Sequence, residues 1–443
     1  MYMLKKKIAL SWLAIVILGF SLSGCKSDKS QAPTDKEIAD AYTYMLGRYI
    51  VLRQENNDIN VEKVGYNKIK YNPLGSAQFV NPNMDVAYLE SWLAVDSTHA
   101  VILNVPEVKG RYYTAELLDG WGEVITNINE RNYPDHPYGK FALVIKGTNP
   151  ANVGDAMKIE LPAAKAKMLA RVELRGTPDI AVKLQRQFTL DVPEGIKIAP
   201  PLEVPAFTNA KLIGGAIFDK PDEVLASYPD VMPDAARYQA LVKKVAAYRQ
   251  TGDSAANNVE DVVNEKAIPA FLAGAKGFGT QKGGWSVSYV TGKFGNDIMA
   301  RDIIDYGGLW ANVASDAIYF IGLTDSDQQI LNGSSTYEIR FPKGEWPGSA
   351  VNAFWSVTLY SVPDYGVVAN SLERYSINNV SGLKPNADSS LSIWLAAAKP
   401  AESAAENWLP TPAAKGFALT FRMYVPKKEV LDGSWFPAPI KKK

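Results

Sequence analysis

The sequence predicts a mainly β body of two domains, joined by a helical connector and preceded by an N-terminal helix. Three observations predict it. The chain has 443 residues, room for more than one core at roughly 100–200 residues per domain. Its 22 Tyr and 10 Trp stand among frequent Gly and Pro, a mixture that suits many short strands joined by tight turns. The third is a break in the pattern: a Pro-led stretch in which Ala, Lys and Glu rise separates two regions of short apolar and aromatic runs.

The first residues carry an export signature. Lys5, Lys6 and Lys7 precede Ile8 to Phe20, which is uncharged and almost wholly apolar, and Leu22-Ser23-Gly24-Cys25 follows at once. The apolar run is shorter than the about 20 residues a membrane-spanning helix needs. Residues 1–24 therefore read as a lipoprotein signal peptide, with Cys25, the only cysteine, as the lipidation site. Acyl chains contribute about 0.8 kcal/mol per buried CH₂, so several chains on one thiol make a durable anchor. Residues 25–36 are polar and read as a tether. Lys26-Ser27 lacks the Asp of inner-membrane retention, which by analogy with lipoprotein sorting favours the outer membrane. The expectation is an exported protein, lipid-anchored in the cell envelope, with the membrane as its partner.

The body divides at residues 37–190, 191–276 and 277–443. In the first part Ile38, Tyr42, Met45, Leu46 and Tyr49 recur at helical spacing, Thr34 or Asp35 caps the start and Asn56-Asn57-Asp58 ends it. This amphipathic helix is expected to pack on the domain that follows. Strands are expected at 86–93, 100–105, 111–118, 141–145 and 168–174, which together argue for a sandwich or barrel. The connector opens with Pro-rich chain from Pro193 to Pro205, then predicts helices over 235–249 and 259–275, parted by Thr251-Gly252-Asp253. The last part predicts strands at 317–323, 335–341, 353–360 and 417–425, a second sandwich. Gly283-Gly284 and Gly307-Gly308 lie outside any phosphate-binding fingerprint and read as turns.

A resemblance spans nearly all of this body. Phe354 to Tyr360, Asn370, Arg374-Tyr375-Ser376-Ile377, Asn407-Trp408-Leu409-Pro410 and Leu419 to Tyr424 resemble a bacterial domain of unknown function numbered 1214. Val80 to Asp85, Trp92-Leu93, Gly110-Arg111-Tyr112-Tyr113 and Leu117 to Trp121 resemble its usual partner, numbered 1254. The resemblance implies two jelly-roll-like β-sandwich domains with helical additions. It implies no reaction.

Candidate site residues form two groups. Asn83, Asp85, Tyr88, Arg111, Tyr112, Asp119 and Trp121 sit near neighbouring strand ends. Arg111 can pair with Asp85 or with a ligand carboxylate, Gly120 can supply a positive φ, and Trp121 with Tyr112 would floor a small-molecule or glycan site. Arg374, Tyr375, Ser376 and Asn407 form a second polar cluster, in which Glu373 or Asp364 would pair with Arg374 across two loops. A polar network that only pins loop geometry is the favoured reading of the first group, and a loop-bridging ion pair explains Arg374 without a ligand.

Several classes fall away. Lys plus Arg equals Asp plus Glu, so no basic field attracts nucleic acid. No Gly-x-Ser-x-Gly elbow is present, and neither of the two histidines, His99 and His136, has a serine partner in sequence. Zinc-type spacing is missing, Asp325-Ser326-Asp327 reads as a polar turn rather than a calcium site, and no metal or cofactor is expected. Two function classes follow. One is a structural module, or one that binds a ligand or partner. The other is an envelope enzyme acting on a small molecule or glycan through the paired carboxylates Asp85 and Asp119.

Overall fold

In a computed structural model of the protein, residues 32–75, 82–362 and 365–443 are described. The signal peptide, Cys25 and the tether as far as residue 31 lie outside the described residues, as do Val80, Asn81 and Asp364. Among the described residues no helix is long and apolar enough to cross a membrane.

Helix α1 (Asp35–Asn56) starts where the sequence places it. The Thr34 hydroxyl accepts from the Glu37 amide, and the Glu37 carboxylate accepts in return from the Thr34 amide at 2.8 Å. This reciprocal cap satisfies two amides that the first turn leaves open. The helix is not amphipathic in place. Ile38, Tyr42, Tyr44, Met45, Tyr49, Ile50 and Leu52 are all buried, so water touches little of its circumference.

Among the described residues the first sandwich has nine strands: β1 (Lys70–Tyr71), β2 (Val86–Ala94), β3 (Val101–Val105), β4 (Tyr113–Leu118), β5 (Val124–Ile128), β6 (Gly139–Ile145), β7 (Met157–Leu161), β8 (Lys165–Glu173) and, after the short helix α2 (Pro178–Gln185), β9 (Thr189–Asp191). One sheet runs β1-β2-β8-β4-β5 and the other β7-β6-β3-β9. Leu89, Leu103, Leu117, Phe141, Leu143 and Met168 close the core between them. The barrel alternative is set aside, because the two sheets stay separate.

Helices α3 (Pro221–Ser227), α4 (Ala235–Arg249), α5 (Asp253–Val262), α6 (Ile268–Lys276) and α7 (Ile298–Gly308) follow. α4 matches its expected span. The helix expected at 259–275 is two helices, α5 and α6, joined by a wide turn at Val263–Ala267. Gly307-Gly308, expected as a turn, closes α7. The helical layer therefore runs past residue 276, and α1 packs into it against α4 and α7 rather than only onto the first sandwich. Val242, Val245, Val259, Phe271 and Ile303 share its core with α1.

The second sandwich contains β10 (Thr280–Lys282), β11 (Trp285–Val287), β12 (Ala317–Gly322), β13 (Tyr337–Phe341), β14 (Trp355–Ser361), β15 (Ser376–Asn378), β16 (Leu391–Ala396), β17 (Trp408–Pro410), β18 (Phe417–Tyr424), the one-turn helix α8 (Lys428–Leu431) and β19 (Ile440–Lys442). Its sheets run β10-β11-β12-β18-β14-β15 and β17-β16-β13-β19. Ile318, Phe320, Ile339, Val357, Ile393, Leu419 and Phe421 fill the space between. The protein is thus two jelly-roll-like sandwiches separated by a helical stretch. The five-stranded sheet of the first and the six-stranded sheet of the second meet face to face, where Val86 and Tyr112 pack on Ala317, Phe354 and Tyr424.

Candidate functional site

The face where the sandwiches meet is polar. Successive strand residues point to opposite sides of a sheet. Ala170 and Val172 of β8 face the first core, so Arg171 and Glu173 face the second sandwich. Arg171 Nη1 lies 2.5 Å from Glu116 Oε2, and both side chains are almost wholly buried. Burial pushes Glu116 up to about 7, while the Arg171 guanidinium pulls against that. At one side the Tyr112 hydroxyl donates to Asp316 Oδ2 at 2.5 Å, Asn312 Nδ2 donates to the same oxygen at 2.8 Å, and Arg131 Nη2 holds Oδ1 at 2.5 Å. From the other sandwich, Arg422 donates to Thr358 Oγ1 at 3.0 Å and to the Tyr360 hydroxyl at 2.8 Å. Tyr360 in turn donates to the Pro82 carbonyl at 2.5 Å.

Asp85 sits at one mouth of this seam. The Asn83 side chain fixes its approach, accepting from the Asp85 amide at 2.8 Å and donating to the Tyr424 hydroxyl at 2.8 Å. Asp85 Oδ1 accepts from Ser376 Oγ at 2.9 Å and from Asn378 Nδ2 at 2.7 Å. Its Oδ2 is buried with no hydrogen-bond partner. Asp85 lines a cavity of about 200 Å³ together with Glu173, Arg175, Phe354, Asn378 and Val380, so both sandwiches build its wall. Glu173 accepts from the Tyr112 amide at 2.9 Å, and burial raises its carboxyl above the ordinary range. Arg175 is held at φ 46°, a backbone conformation rare for a non-glycine residue.

The structure joins the two predicted groups and splits the first. Ser376, expected in a separate cluster, reaches Asp85 across the seam. Arg111 does not pair with Asp85. It donates to the Glu173 carbonyl at 2.9 Å, the Leu174 carbonyl at 3.2 Å and Thr177 Oγ1 at 2.9 Å, which shapes the cavity wall. Arg374 bridges loops as expected but through carbonyls, those of Ala405 and Trp408, and not through Glu373. Asn407 is spent on the backbone of Lys384 and Ser392. Tyr375 lends its backbone carbonyl to the Leu359 amide. Tyr88 points into the seam, near Arg171.

Asp119 and Trp121 belong elsewhere. Val86, next to Asp85, pairs with Glu173 on β8, whereas Leu118, next to Asp119, pairs with Lys167. Those partners are six positions apart along β8, about 20 Å at roughly 3.3 Å per residue. Paired catalytic carboxylates of the glycosidase kind stand about 5–9.5 Å apart. Asp85 and Asp119 are therefore not an acid/base pair. Trp121 and Tyr112 offer no open floor either, since both rings are buried, Trp121 beneath Arg301 and against Tyr44.

Asp119 instead joins a second buried polar cluster that sequence reading missed. Asp119 Oδ1 accepts from the amides of Trp121 and Glu123 at 2.8 and 2.9 Å. Asp305 of α7 packs against the same turn, and Asp302, one turn earlier in α7, accepts from the Gly47 amide of α1 at 3.1 Å. Gly122, not Gly120, takes the positive φ there, and a Cβ on it would collide with the Asp305 carboxylate. Burial pushes Asp119 up to about 7 and raises Asp302 and Asp305 well above the usual carboxylate range. Among the described residues no group of three or more His, Cys, Asp or Glu side chains is arranged to hold a metal ion. The signal available was Asp302 and Asp305 at helical spacing beside Arg301, but that pattern is also what a solvated helix face shows.

Residues 61–192 match the family described as Protein of unknown function (DUF1254), and residues 316–428 match the one described as Protein of unknown function (DUF1214). The chain carries both domains. The DUF1214 domain begins at Asp316, the residue that receives Tyr112 and Arg131, so the seam lies between the two families' domains. Among solved structures, the chain is similar to the VPA0106 protein from Vibrio parahaemolyticus, with 19% identity and a TM-score of 0.66 over 92% of this chain and 99% of that one. It also matches an uncharacterized protein from Burkholderia cenocepacia, with 12% identity and a TM-score of 0.46 over 92% of each chain. The first likeness shows a shared fold. Comparison with curated proteins gave no match.

Proposed function

We propose that the protein is exported, anchored in the outer membrane by lipid on Cys25, and binds a small polar molecule between its DUF1254 and DUF1214 domains. The observation that carries the binding reading is Asp85 Oδ2, buried without a donor in the wall of a cavity that both domains build. A buried acceptor left unpaired costs about 1–3 kcal/mol, which a ligand donor would recover. Asp85 and Glu173 offer acceptors to an amine or hydroxyl, and Arg175 offers a cation to the ligand's other end. About 200 Å³ suits a molecule of a few heavy atoms.

The test is the thermal midpoint of the purified full chain with millimolar ethanolamine, glycine, glycerol or acetate. At least one amine or hydroxyl probe should raise it, and Asp85→Asn should abolish that rise. No shift with any probe, or equal shifts in the variant, ends the binding reading. The anchor is tested apart from it: Cys25→Ala should leave the membrane fraction, and a variant that stays there as firmly as the parent ends the anchor reading.

A further inference from the structure

The cavity beside Asp85 holds two polar groups of opposite charge that the protein leaves without partners. One is Asp85 Oδ2, buried with no donor. The other is the Arg175 guanidinium, which makes no hydrogen bond or ion pair with any described residue. Among the described residues, Asp85, Glu173 and Arg175 are the charged members of the lining. Their remaining groups are engaged. Asp85 Oδ1 accepts from Ser376 and Asn378, and Glu173 Oε2 accepts from the Tyr112 amide. Arg111, outside the lining, is held by the carbonyls of Glu173 and Leu174.

Arg175 stands where its own backbone favours other residues. The Thr177 amide donates to the Leu174 carbonyl at 2.9 Å and closes a tight turn. Its two central residues, Arg175 and Gly176, have φ of 46° and 69°. Two positive φ angles in succession favour Asn-Gly, Asp-Gly or Gly-Gly. An arginine there carries strain that no contact of its side chain offsets, and strain of this kind clusters at ligand sites. Its charge reaches the cavity wall. Burial raises the Glu173 carboxyl, the Tyr112 amide opposes this, and Arg175 lowers it more than any other charge does.

Leu174, Phe354 and Val380 add apolar surface between these polar groups. A plain amine would satisfy Asp85 and leave Arg175 free. A plain carboxylate would do the reverse and bring a third acidic group beside Asp85 and Glu173. A short aminocarboxylate satisfies both, with its ammonium toward Asp85, its carboxylate toward Arg175 and its carbons on the apolar surface. The cavity of about 200 Å³ is smaller than the about 300 Å³ at which drug-sized sites begin, so few heavy atoms fit.

We propose that the cavity between the DUF1254 and DUF1214 domains selects a small zwitterionic aminocarboxylate, with Arg175 as the residue that sets the preference. The proposal rests on the binding reading above and fails separately from it. The test is calorimetric titration of the purified full chain, at neutral pH, with glycine, β-alanine and γ-aminobutyrate beside ethylamine and propionate. At least one of the first three should bind about tenfold or more tighter than either of the others, because it makes charge-assisted bonds at both ends. Arg175→Gly suits the positive φ and so keeps the turn. It should bring the aminocarboxylate down to the affinity of ethylamine, while ethylamine binds at least as tightly as to the parent. Arg175→Lys, which keeps the charge, should retain part of the preference. Unfolding midpoints confirm that each variant is folded. Ethylamine binding as tightly as every aminocarboxylate overturns the proposal and leaves the binding reading standing, as does a preference undiminished in Arg175→Gly. Propionate binding tightest, or no binding by any of the probes, overturns both.

Discussion

The interior of the DUF1214 sandwich and the seam beside it both exclude water, yet their chemistry is opposite. In the sandwich Phe421 touches the rings of Trp285, Phe320, Phe341, Trp355 and Trp435. In the seam Arg171 meets Glu116, Tyr112 and Arg131 meet Asp316, and Ser376 and Asn378 meet Asp85. Apolar burial stabilises at about 25 cal/mol per Å² almost regardless of which neighbour supplies the contact. A buried ion pair contributes little net stability, because desolvation offsets the attraction, but it penalises every arrangement that separates the charges. The comparison teaches a division of labour. The cores hold each domain together, and the seam fixes how one domain sits on the other.

The sharpest way to break that comparison is to unbalance each region in turn. Phe421→Ala should cost about 3–5 kcal/mol by urea unfolding, with no second substitution in the seam restoring it. Arg171→Met should cost a similar about 3–5 kcal/mol, because Glu116 is left charged or protonated in a dry interior. Here Arg171→Met with Glu116→Leu should recover most of the loss. A seam that solvent reaches would show less than about 1 kcal/mol for the single variant.

The carboxyl cluster on α7 extends the test to pH. Folding raises Asp119 from 3.8 to about 7, through burial opposed by the Trp121 and Glu123 amides. The folded form therefore holds a proton that the unfolded chain releases near pH 4. Stability from this group is complete below that pH and is lost as pH rises through about 7. Asp119→Asn, which keeps the amide acceptor, should flatten this decline by about 2–4 kcal/mol, at roughly 1.4 kcal/mol per unit. An unchanged pH slope would mean that the cluster is ionised in the folded protein.

Smaller effects separate seam from surface. Tyr112→Phe removes one of the donors to Asp316 while Asn312 and Arg131 remain, so a loss of about 1–2 kcal/mol is expected. Arg111→Ala and Arg374→Ala should each cost about 1 kcal/mol, since both donate to carbonyls and neither holds a buried carboxylate. Of the two, only Arg111→Ala should also weaken probe binding at Asp85, because Arg111 grips the carbonyls of Glu173 and Leu174 in the cavity wall. A loss of about 3–5 kcal/mol in either would point to a charge pair that the contacts do not contain.

What the sequence made legible was local. The Thr34–Glu37 cap, α4, β2, β12 and β18 fall within two residues of their expected starts, because caps and alternation are written in neighbouring residues. The three-residue strands β15, β17 and β19 were not legible, having too few residues to show a period. Neither was the site. Alternation along β8 tells that Lys167, Leu169, Arg171 and Glu173 share one face, but not whether water or a second domain covers it. The meeting of Asp85 with Ser376 joins residues 291 positions apart, and only tertiary packing brings them together. The same limit explains why Asp119, near Asp85 in sequence terms, lies at the far end of the sheet.

The order of strands in the second sandwich bears on how the chain is made. β12 and β14 are both central, yet they do not pair with each other; each pairs with β18, residues 417–424. Until that stretch has been delivered, the six-stranded sheet is two fragments, and each presents a bare row of amides and carbonyls to whatever strand comes near. Contacts that span roughly a hundred residues also close slowly. A half-synthesised or clipped chain lacking residues 417–424 is therefore the form most prone to aggregate, and the one a chaperone would have to shield longest.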